Sequence, residues 1–281
     1  MTKLAIVTDS TAYIPEALIE KFNIQVIPLS VIFEETTFRE KIDISTESFY
    51  EKVAEAGQLP STSQPPIGMF INLYEKLAEH YEAIISVHLS KQISGTFDTA
   101  ISAGNMVEGA AVYPFDSGLS CMPQGFFAIV AAEMAAEGKS PEDILTHLEN
   151  MKTKTAAYFM VDDLKHLKRG GRLTGAQQII GSLLNIKPVL HMPEGAIVPF
   201  EKIRTRKKAL QKIMSLLEKD VQHKKVQRVV FIHANDEQGA LKLQEDFQEK
   251  YPAVETIISY FGPVIGTHLG QGALGVSWYT D

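Results

Sequence analysis

The chain has 281 residues, of which 45% are hydrophobic and 22% charged, enough for one large domain or two of ordinary size with a real core. Its formal net charge of -7 argues against nucleic acid as a partner, because phosphate backbones select basic faces. Its single cysteine, Cys121, excludes an internal disulfide and a multi-cysteine metal site and fits a reducing cytoplasm, where we expect the protein to be found.

No segment of the sequence is typical of targeting or of a membrane span. The apolar run at residues 4–7 is too short for a signal peptide. Because no stretch of about 18 apolar residues occurs either, we expect no stable insertion into a membrane.

The first half of the chain repeats a strand, a polar turn and a helix. This rhythm predicts a mainly parallel sheet flanked by helices and joined by right-handed crossovers. Strands are predicted at residues 4–7, 25–33, 83–89 and 110–115, a short hairpin at 36–40, and helices at 15–22, 47–53, 67–80, 97–107, 123–137 and 140–151.

The pattern changes near residue 153, where we place a domain boundary. In the second half a hairpin around residues 193–195 is mixed with crossover connections, which predicts a mixed sheet. Strands are predicted at residues 156–161, 188–192, 196–200, 228–233, 255–261 and 276–279, and helices at 175–185, 204–220 and 237–251. The sequence therefore predicts an α/β protein of two domains, residues 1–153 and 154–281.

Two stretches of hydroxyl residues precede predicted helices in the first domain. Thr62 and Ser63 run into a Pro-Pro pair, which fits the first turn of a helix, and Ser94, Gly95 and Thr96 follow a buried strand. Helix N-termini present unpaired amides and a partial positive charge, so the two ends together could hold a carboxylate or a phosphate. Ordinary helix capping is the alternative for each stretch taken alone.

His268 lies in a glycine-rich segment, residues 262–275, which we read as a loop. Glycines permit close backbone approach, so this histidine could hydrogen-bond an anionic head group. An ordinary surface histidine is the alternative. The other seven histidines have no ligand-like spacing, and we therefore expect no metal.

Two basic runs, residues 165–172 and 204–208, stand out in this acidic chain. They could dock an acidic partner or a phosphate donor, or they could be solvated helix faces.

The motifs of three common enzyme classes are missing from the sequence. It contains no Gly-x-Ser-x-Gly elbow, no Walker motif and no dinucleotide fingerprint. A dyad of Ser94 and His268, with Asp9 or Asp116 orienting the base, would make the protein a serine hydrolase or acyltransferase, and this reading stays open. A module that binds a phosphorylated small molecule at the same helix ends is a third reading.

An ordered set of short motifs resembles the DegV family across nearly the whole chain. The matching pieces are residues 7–11 (VTDST), 62–65 (TSQP), 90–97 (SKQISGTF), 116–117 (DS), 167–172 (LKRGGR), 186–190 (IKPVL), 204–209 (RTRKKA) and 266–270 (GTHLG).

The resemblance implies a protein that binds a long-chain fatty acid, such as palmitate, and has no catalytic residues or cofactor of its own. It would be the substrate-carrying subunit of a bacterial fatty-acid kinase, whose catalytic subunit makes an acyl phosphate for phospholipid metabolism. The resemblance places the carboxylate at Thr62, Ser94 and His268. The remaining assignments are Ser63, Gly95 and Thr96 in support of that site and Arg169, Arg172, Arg204 and Arg206 facing the kinase.

A fatty-acid tail would need an apolar tunnel. Candidates for its wall are residues 179–184, Phe126, Phe127 and Met160, for each of which plain core packing is the alternative.

Overall fold

We describe a computed structural model of the chain that covers residues 3–56, 58–162, 164–174 and 186–281. The helix predicted at residues 175–185, and with it the tunnel candidates at 179–184, lies outside these residues. The strands are β1 (Leu4–Asp9), β2 (Gln25–Ile27), β3 (Ser30–Phe33), β4 (Thr36–Arg39), β5 (Ser61–Ser63), β6 (Ala83–His88), β7 (Ala111–Asp116), β8 (Thr155–Met160), β9 (Val189–His191), β10 (Val198–Glu201), β11 (Val226–His233), β12 (Glu255–Tyr260) and β13 (Leu274–Thr280). The helices are α1 (Glu16–Phe22), α2 (Thr46–Glu55), α3 (Ile67–Ala78), α4 (Thr96–Gly104), α5 (Cys121–Ala136), α6 (Pro141–Thr153), α7 (Lys165–Gly170), α8 (Arg206–His223), α9 (Glu237–Lys250) and α10 (Pro263–Leu269).

The first half builds a four-stranded sheet in the order β2-β1-β6-β7, in which every pair is parallel. Strand β6 is buried along its whole length, as a parallel strand covered by helices on both faces should be. The parallel sheet and its flanking helices confirm the fold predicted for this half.

The second half builds a six-stranded sheet in the order β10-β9-β8-β13-β11-β12. Only the pair β11–β12 is parallel among its described pairings, and β9 and β10 form the predicted hairpin around Pro193–Gly195. The sheet is therefore mixed, as predicted.

A third, small antiparallel sheet in the order β4-β3-β5 was not predicted as a separate unit. The single strand expected at residues 25–33 is two strands, because the chain leaves the parallel sheet after Ile27 and pairs again from Ser30 in the small sheet. A short hairpin within residues 36–40 was expected, but residues 36–39 are a single strand, β4, which forms a hairpin with β3 instead.

One hydrophobic core joins the two large sheets. It contains Ile85 and Phe115 from the first half and Val230 and Phe261 from the second. Helix α5, buried throughout residues 121–132, contacts strands of both sheets. The strands of the two large sheets lie on opposite sides of residue 153, and the division into two domains there stays a prediction.

None of the described helices combines the length and the apolar composition that crossing a bilayer requires.

Candidate functional site

An apolar cavity of about 270 Å³ lies between the two halves of the chain. Both halves supply its walls, with Leu29, Leu89, Ile93 and Leu119 from the first and Ala157, Phe159, Ile232, Phe261, Val264, Ile265 and Val276 from the second. Cys121 also lines it, and burial raises the pKa of the Cys121 thiol, which therefore stays uncharged.

The aromatic and methionine residues expected to line a tunnel do not line this cavity. Phe126 and Phe127 lie on α5 and pack against other rings, the Phe126 ring 5.3 Å from that of Tyr279. Met160 belongs to the core on the other face of the six-stranded sheet, whereas its neighbour Phe159 lines the cavity. Successive residues of a strand face opposite ways, which explains why one of these two neighbours faces the cavity and the other does not.

A polar cluster interrupts the apolar wall of the cavity. Thr62, Ser94 and His268 all line it, together with Ser63, Gly95 and Arg172. The Thr62 Oγ1 atom lies 2.9 Å from His268 Nε2. The structure therefore brings together the three residues expected to bind a carboxylate, which lie up to 206 positions apart in the chain.

Thr62 reaches the cavity from a strand, so the expectation that these hydroxyls cap a helix was wrong. Residues 61–63 form β5, whose backbone pairs with β3, and Thr62 lies opposite Val31. Helix α3 begins only at Ile67, and no side chain caps it. The Ser63 hydroxyl donates to the Gln64 carbonyl oxygen, while the Thr62 hydroxyl meets His268.

Ser94 lies two residues before α4, next to the N-cap residue Gly95, so it precedes a helix as expected. Its Oγ lies 2.9 Å from Thr96 Oγ1, and the Thr96 amide donates to it across 3.4 Å. A Cβ at Gly95 would lie 2.3 Å from Gln64 Oε1, so the glycine leaves room for the Gln64 side chain in this conformation. Gln64, which directly follows Ser63, also lines the cavity and was not among the predicted site residues.

His268 lies on α10, so reading its segment as a loop was wrong. Its Nδ1 atom is buried and has no hydrogen-bond partner among the described residues. Burial and the positive charges of Arg172 and Arg169, with His166 nearby, lower the pKa of His268 to about 4. The imidazole is therefore neutral at pH 7.

The family model for uncharacterised proteins of the DegV family matches residues 3–281. The chain belongs to the DegV family. Protein DegV of Bacillus subtilis (strain 168) is 56% identical over 276 residues, 98% of each chain. The crystal structure of DegV from Bacillus subtilis, described as a fatty acid binding protein, matches at a TM-score of 0.95 and 55% identity over 100% of both chains. A fatty-acid-binding DegV family protein from Thermus thermophilus matches at 0.93 and 31% identity, covering 99% of this chain and 100% of that one.

In this DegV protein the four arginines expected to face a partner lie in different surroundings. Arg172 lines the cavity and donates to the Ile93 carbonyl oxygen, and Arg169 donates to the Pro60 carbonyl oxygen across 2.9 Å. Arg206 is held by Gly272 and by an ion pair with Asp236. Arg204, one residue before the Thr205 cap of α8, is exposed.

The arrangement in this DegV protein does not assemble the serine dyad of the hydrolase reading. Ser94 bonds to Thr96, and His268 bonds to Thr62. The two candidate orienting carboxylates are engaged elsewhere, since Asp9 accepts from Leu89 and lies 3.0 Å from His88, and Asp116 accepts from the Gly118 amide across 2.9 Å.

Proposed function

We propose that the protein binds one long-chain fatty acid, such as palmitate, with its tail in the cavity and its carboxylate at Thr62, Ser94 and His268. The observation that carries this proposal is one cavity with a mainly apolar wall, in which Thr62, Ser94, Arg172 and His268 bring hydroxyl, imidazole and guanidinium groups together. Each buried methylene contributes about 0.8 kcal/mol, so the tail would supply most of the affinity. The relatives described as fatty acid binding proteins support the same ligand.

The polar cluster suits a carboxylate because it offers donors and a nearby positive charge. The hydroxyls of Thr62 and Ser94 can each donate to a carboxylate oxygen. Neutral His268 can donate Nε2–H to Thr62 Oγ1, which leaves the Thr62 proton free for the ligand. Arg172 would add the charge, with Ser63 and Gly95 lining the cavity beside it. Thr96 does not line the cavity and would support the site through its hydroxyl, which lies 2.9 Å from Ser94 Oγ.

We further propose that the protein presents the bound carboxylate to a separate kinase subunit in the cytoplasm and has no catalytic residue of its own. The kinase would transfer a phosphoryl group from its phosphate donor to a carboxylate oxygen, which gives an acyl phosphate for phospholipid metabolism. A smaller cavity beside Thr62 and His268 is lined by Arg169 and Arg172, which places positive charge next to the carboxylate site. Arg204 and Arg206 would belong to the same docking surface.

Removing one hydroxyl tests the carboxylate site. Thr62→Ala and Ser94→Ala should each weaken palmitate binding by about 1–3 kcal/mol, the cost of a lost hydrogen bond to a charged group. Ser102→Ala is the matched control, because Ser102 is exposed on α4, outside the cavity lining, and its hydroxyl donates to the Asp98 carbonyl oxygen. Titration calorimetry measures the affinities, and unchanged affinity in both site variants would refute the carboxylate assignment.

The kinase step needs a separate test. With a purified fatty-acid kinase, Arg204→Ala should bind palmitate normally but support slower acyl-phosphate formation, because Arg204 is exposed and does not line the cavity. Acyl-phosphate formation at the wild-type rate would remove Arg204 from the docking surface. No acyl phosphate from the loaded wild-type protein would refute the kinase partnership itself, and covalent labelling of Ser94 by a fluorophosphonate would favour a hydrolase instead.

A further inference from the structure

The helix that carries His268 is tied at its first turn to a buried carboxylate. Glu40 is completely buried. Its Oε1 atom accepts the Val264 amide across 2.9 Å and the Tyr13 hydroxyl across 2.8 Å, and its Oε2 atom accepts the Ser10 hydroxyl. The Tyr13 oxygen in turn accepts the Ile265 amide across 3.4 Å. Two consecutive amides of α10 therefore donate to hydrogen-bonded neighbours from the first half of the chain, Glu40 and Tyr13.

Glu40 and Thr62 are both attached to the small sheet, Thr62 within a strand and Glu40 just beyond one. Glu40 directly follows β4, and Thr62 lies in β5, with β3 between the two strands. Strand β5 and the residue after β4 therefore bond to α10 at two points, Thr62 to His268 and Glu40 to Val264. Val264 and His268 are four residues apart, about one helical turn, so the two bonds together fix both the axial position and the rotation of the helix.

Aromatic side chains press against the remaining face of α10. A Cβ at Gly262 would lie 2.4 Å from the Tyr13 ring, and one at Gly266 would lie 2.6 Å from the Tyr50 hydroxyl. That hydroxyl donates to the Phe261 carbonyl oxygen across 2.7 Å. Apolar packing is non-directional and does not by itself fix how far a helix slides or turns. The hydrogen bonds to Glu40 therefore fix the position of α10, and with it the position of the His268 imidazole.

We propose that Glu40 is a positioning residue that sets the distance between His268 and Thr62 in the carboxylate site. Glu40 does not line the fatty-acid cavity and would not touch the ligand. Glu40 acts through α10. It accepts the hydrogen bond of the Val264 amide, and one turn later in the helix His268 bonds to Thr62. This inference rests on the proposed fatty-acid function, since Glu40 would support a residue of the proposed carboxylate site.

Glu40→Gln tests the assignment with almost no change in shape. A neutral amide cannot accept from all three donors as the carboxylate does, so α10 loses part of its anchor. We expect palmitate affinity to fall about 10-fold, the scale of one lost charge-assisted hydrogen bond. Tyr13→Phe, which removes one donor to Glu40 and the acceptor of the Ile265 amide, should give a smaller loss in the same direction and serves if Glu40→Gln fails to fold.

A double-mutant cycle distinguishes positioning from general destabilisation. In a His268→Gln background the imidazole is gone, so Glu40→Gln should change palmitate affinity by less than about 2-fold. Tyr74→Phe is the matched control, because it removes a buried hydrogen bond between α3 and Ser86 of β6, which involves neither α10 nor the cavity lining, and should leave affinity unchanged. Histidine NMR gives a ligand-free readout: the His268 ring signals should shift in Glu40→Gln and stay in place in Tyr74→Phe.

The outcomes separate this inference from the proposed function. If wild-type protein binds no palmitate, the function fails, while the NMR comparison still tests whether Glu40 positions His268. If wild-type binds palmitate but Glu40→Gln binds equally well, or its effect is the same with and without His268, the positioning role is refuted.

Discussion

His268 is held uncharged beside two arginines, at a place where an anion would bind. Burial and the charges of Arg172 and Arg169 disfavour its protonated form. A neutral imidazole keeps one donor and one acceptor, which suits the single bond to Thr62 seen in the structure. In the proposed carboxylate site the positive charge would come from Arg172, and the histidine would contribute orientation.

The stability of the ligand-free protein should depend on pH through His268. Its pKa is about 4 in the folded protein, against 6.5 for an ordinary histidine, so between these values the unfolded chain binds a proton that the folded chain does not. The contribution of this group to the free energy of unfolding is therefore complete above about pH 6.5 and is lost as the pH falls towards 4. His268→Gln should flatten this slope in urea titrations between those values, and equal slopes for both proteins would contradict the shifted pKa.

Gly170 should be required for the position of His268. A Cβ at Gly170 would lie 2.3 Å from His268 Nδ1, so Gly170→Ala should displace the imidazole and lower palmitate affinity about 10-fold, as for one lost polar contact. Gly68→Ala is the control, because a Cβ there meets nothing within 4 Å. It should leave affinity unchanged and stabilise α3 by about 0.5–1 kcal/mol. Equal palmitate affinity in the two variants, measured by calorimetry, would disprove the steric argument.

Spacing in the sequence could not distinguish Thr62 from Ser63, and the choice depended on the family resemblance. In the structure both residues line the cavity, but their hydroxyls have different partners. The Thr62 hydroxyl bonds to His268, while the Ser63 hydroxyl donates to the next carbonyl oxygen. This difference depends on the pairing of β5 with β3, which no local sequence pattern shows.

Helices and strands that have a local sequence pattern were predictable. Those that form only because they pair with or pack against distant segments were not. The strand-turn-helix rhythm correctly gave β1, β6 and β7. Strand β5 has three residues and exists because it pairs with β3, which no local pattern shows. Helix α10 was missed because its glycines suggest a loop, whereas Gly266 is there to let the helix approach Tyr50.

The ends of β1 and β6 are joined by a buried polar chain that the sequence did not reveal. Ser86 Oγ lies 2.7 Å from His88 Nε2, and His88 Nδ1 lies 3.0 Å from Asp9 Oδ2. The order Ser-His-Asp resembles a catalytic triad, but all three side chains are completely buried and none lines the cavity between the two halves. We therefore assign this chain of groups to stability.

Asp9→Asn should destabilise the protein without affecting the ligand site. Burial raises the pKa of Asp9, but hydrogen bonds from His88, Thr11 and Leu89 outweigh it, so the pKa is lowered. A lowered carboxyl pKa means that this stabilisation is present above the unfolded value of about 3.9 and is lost as the pH falls through the folded value.

At pH 7 the substitution leaves a buried partner group unpaired, and we expect a loss of about 3 kcal/mol in urea unfolding. Palmitate affinity of the folded variant should match wild type. Asp98→Asn, on the exposed face of α4, is the control and should cost well below about 1 kcal/mol. A loss as small as that of the control would show that the chain of buried groups contributes little.

At the scale of the molecule, the sequence predicted two sheets but could not predict the space between them. The cavity is lined by single residues of many elements, such as Leu89 after β6, Ile232 in β11 and Val276 in β13. Whether a buried apolar residue faces this cavity or a filled core depends on how the two sheets pack. Composition and periodicity are the same in both cases, which explains the wrong choice of Phe126 and Phe127.

One core and one cavity shared by both halves should make the chain unfold as a unit. We expect a single calorimetric transition, with equal calorimetric and van't Hoff enthalpies, because the core around α5 contains residues of both large sheets. Palmitate at about 100 times its Kd should add about 2.7 kcal/mol and raise the Tm of the whole transition by several degrees. Hexadecanol, which has the tail without the carboxylate, should raise it less. Two separated transitions, with palmitate moving only one of them, would instead show that residues 1–153 and 154–281 are independent domains and that one of them binds the ligand alone.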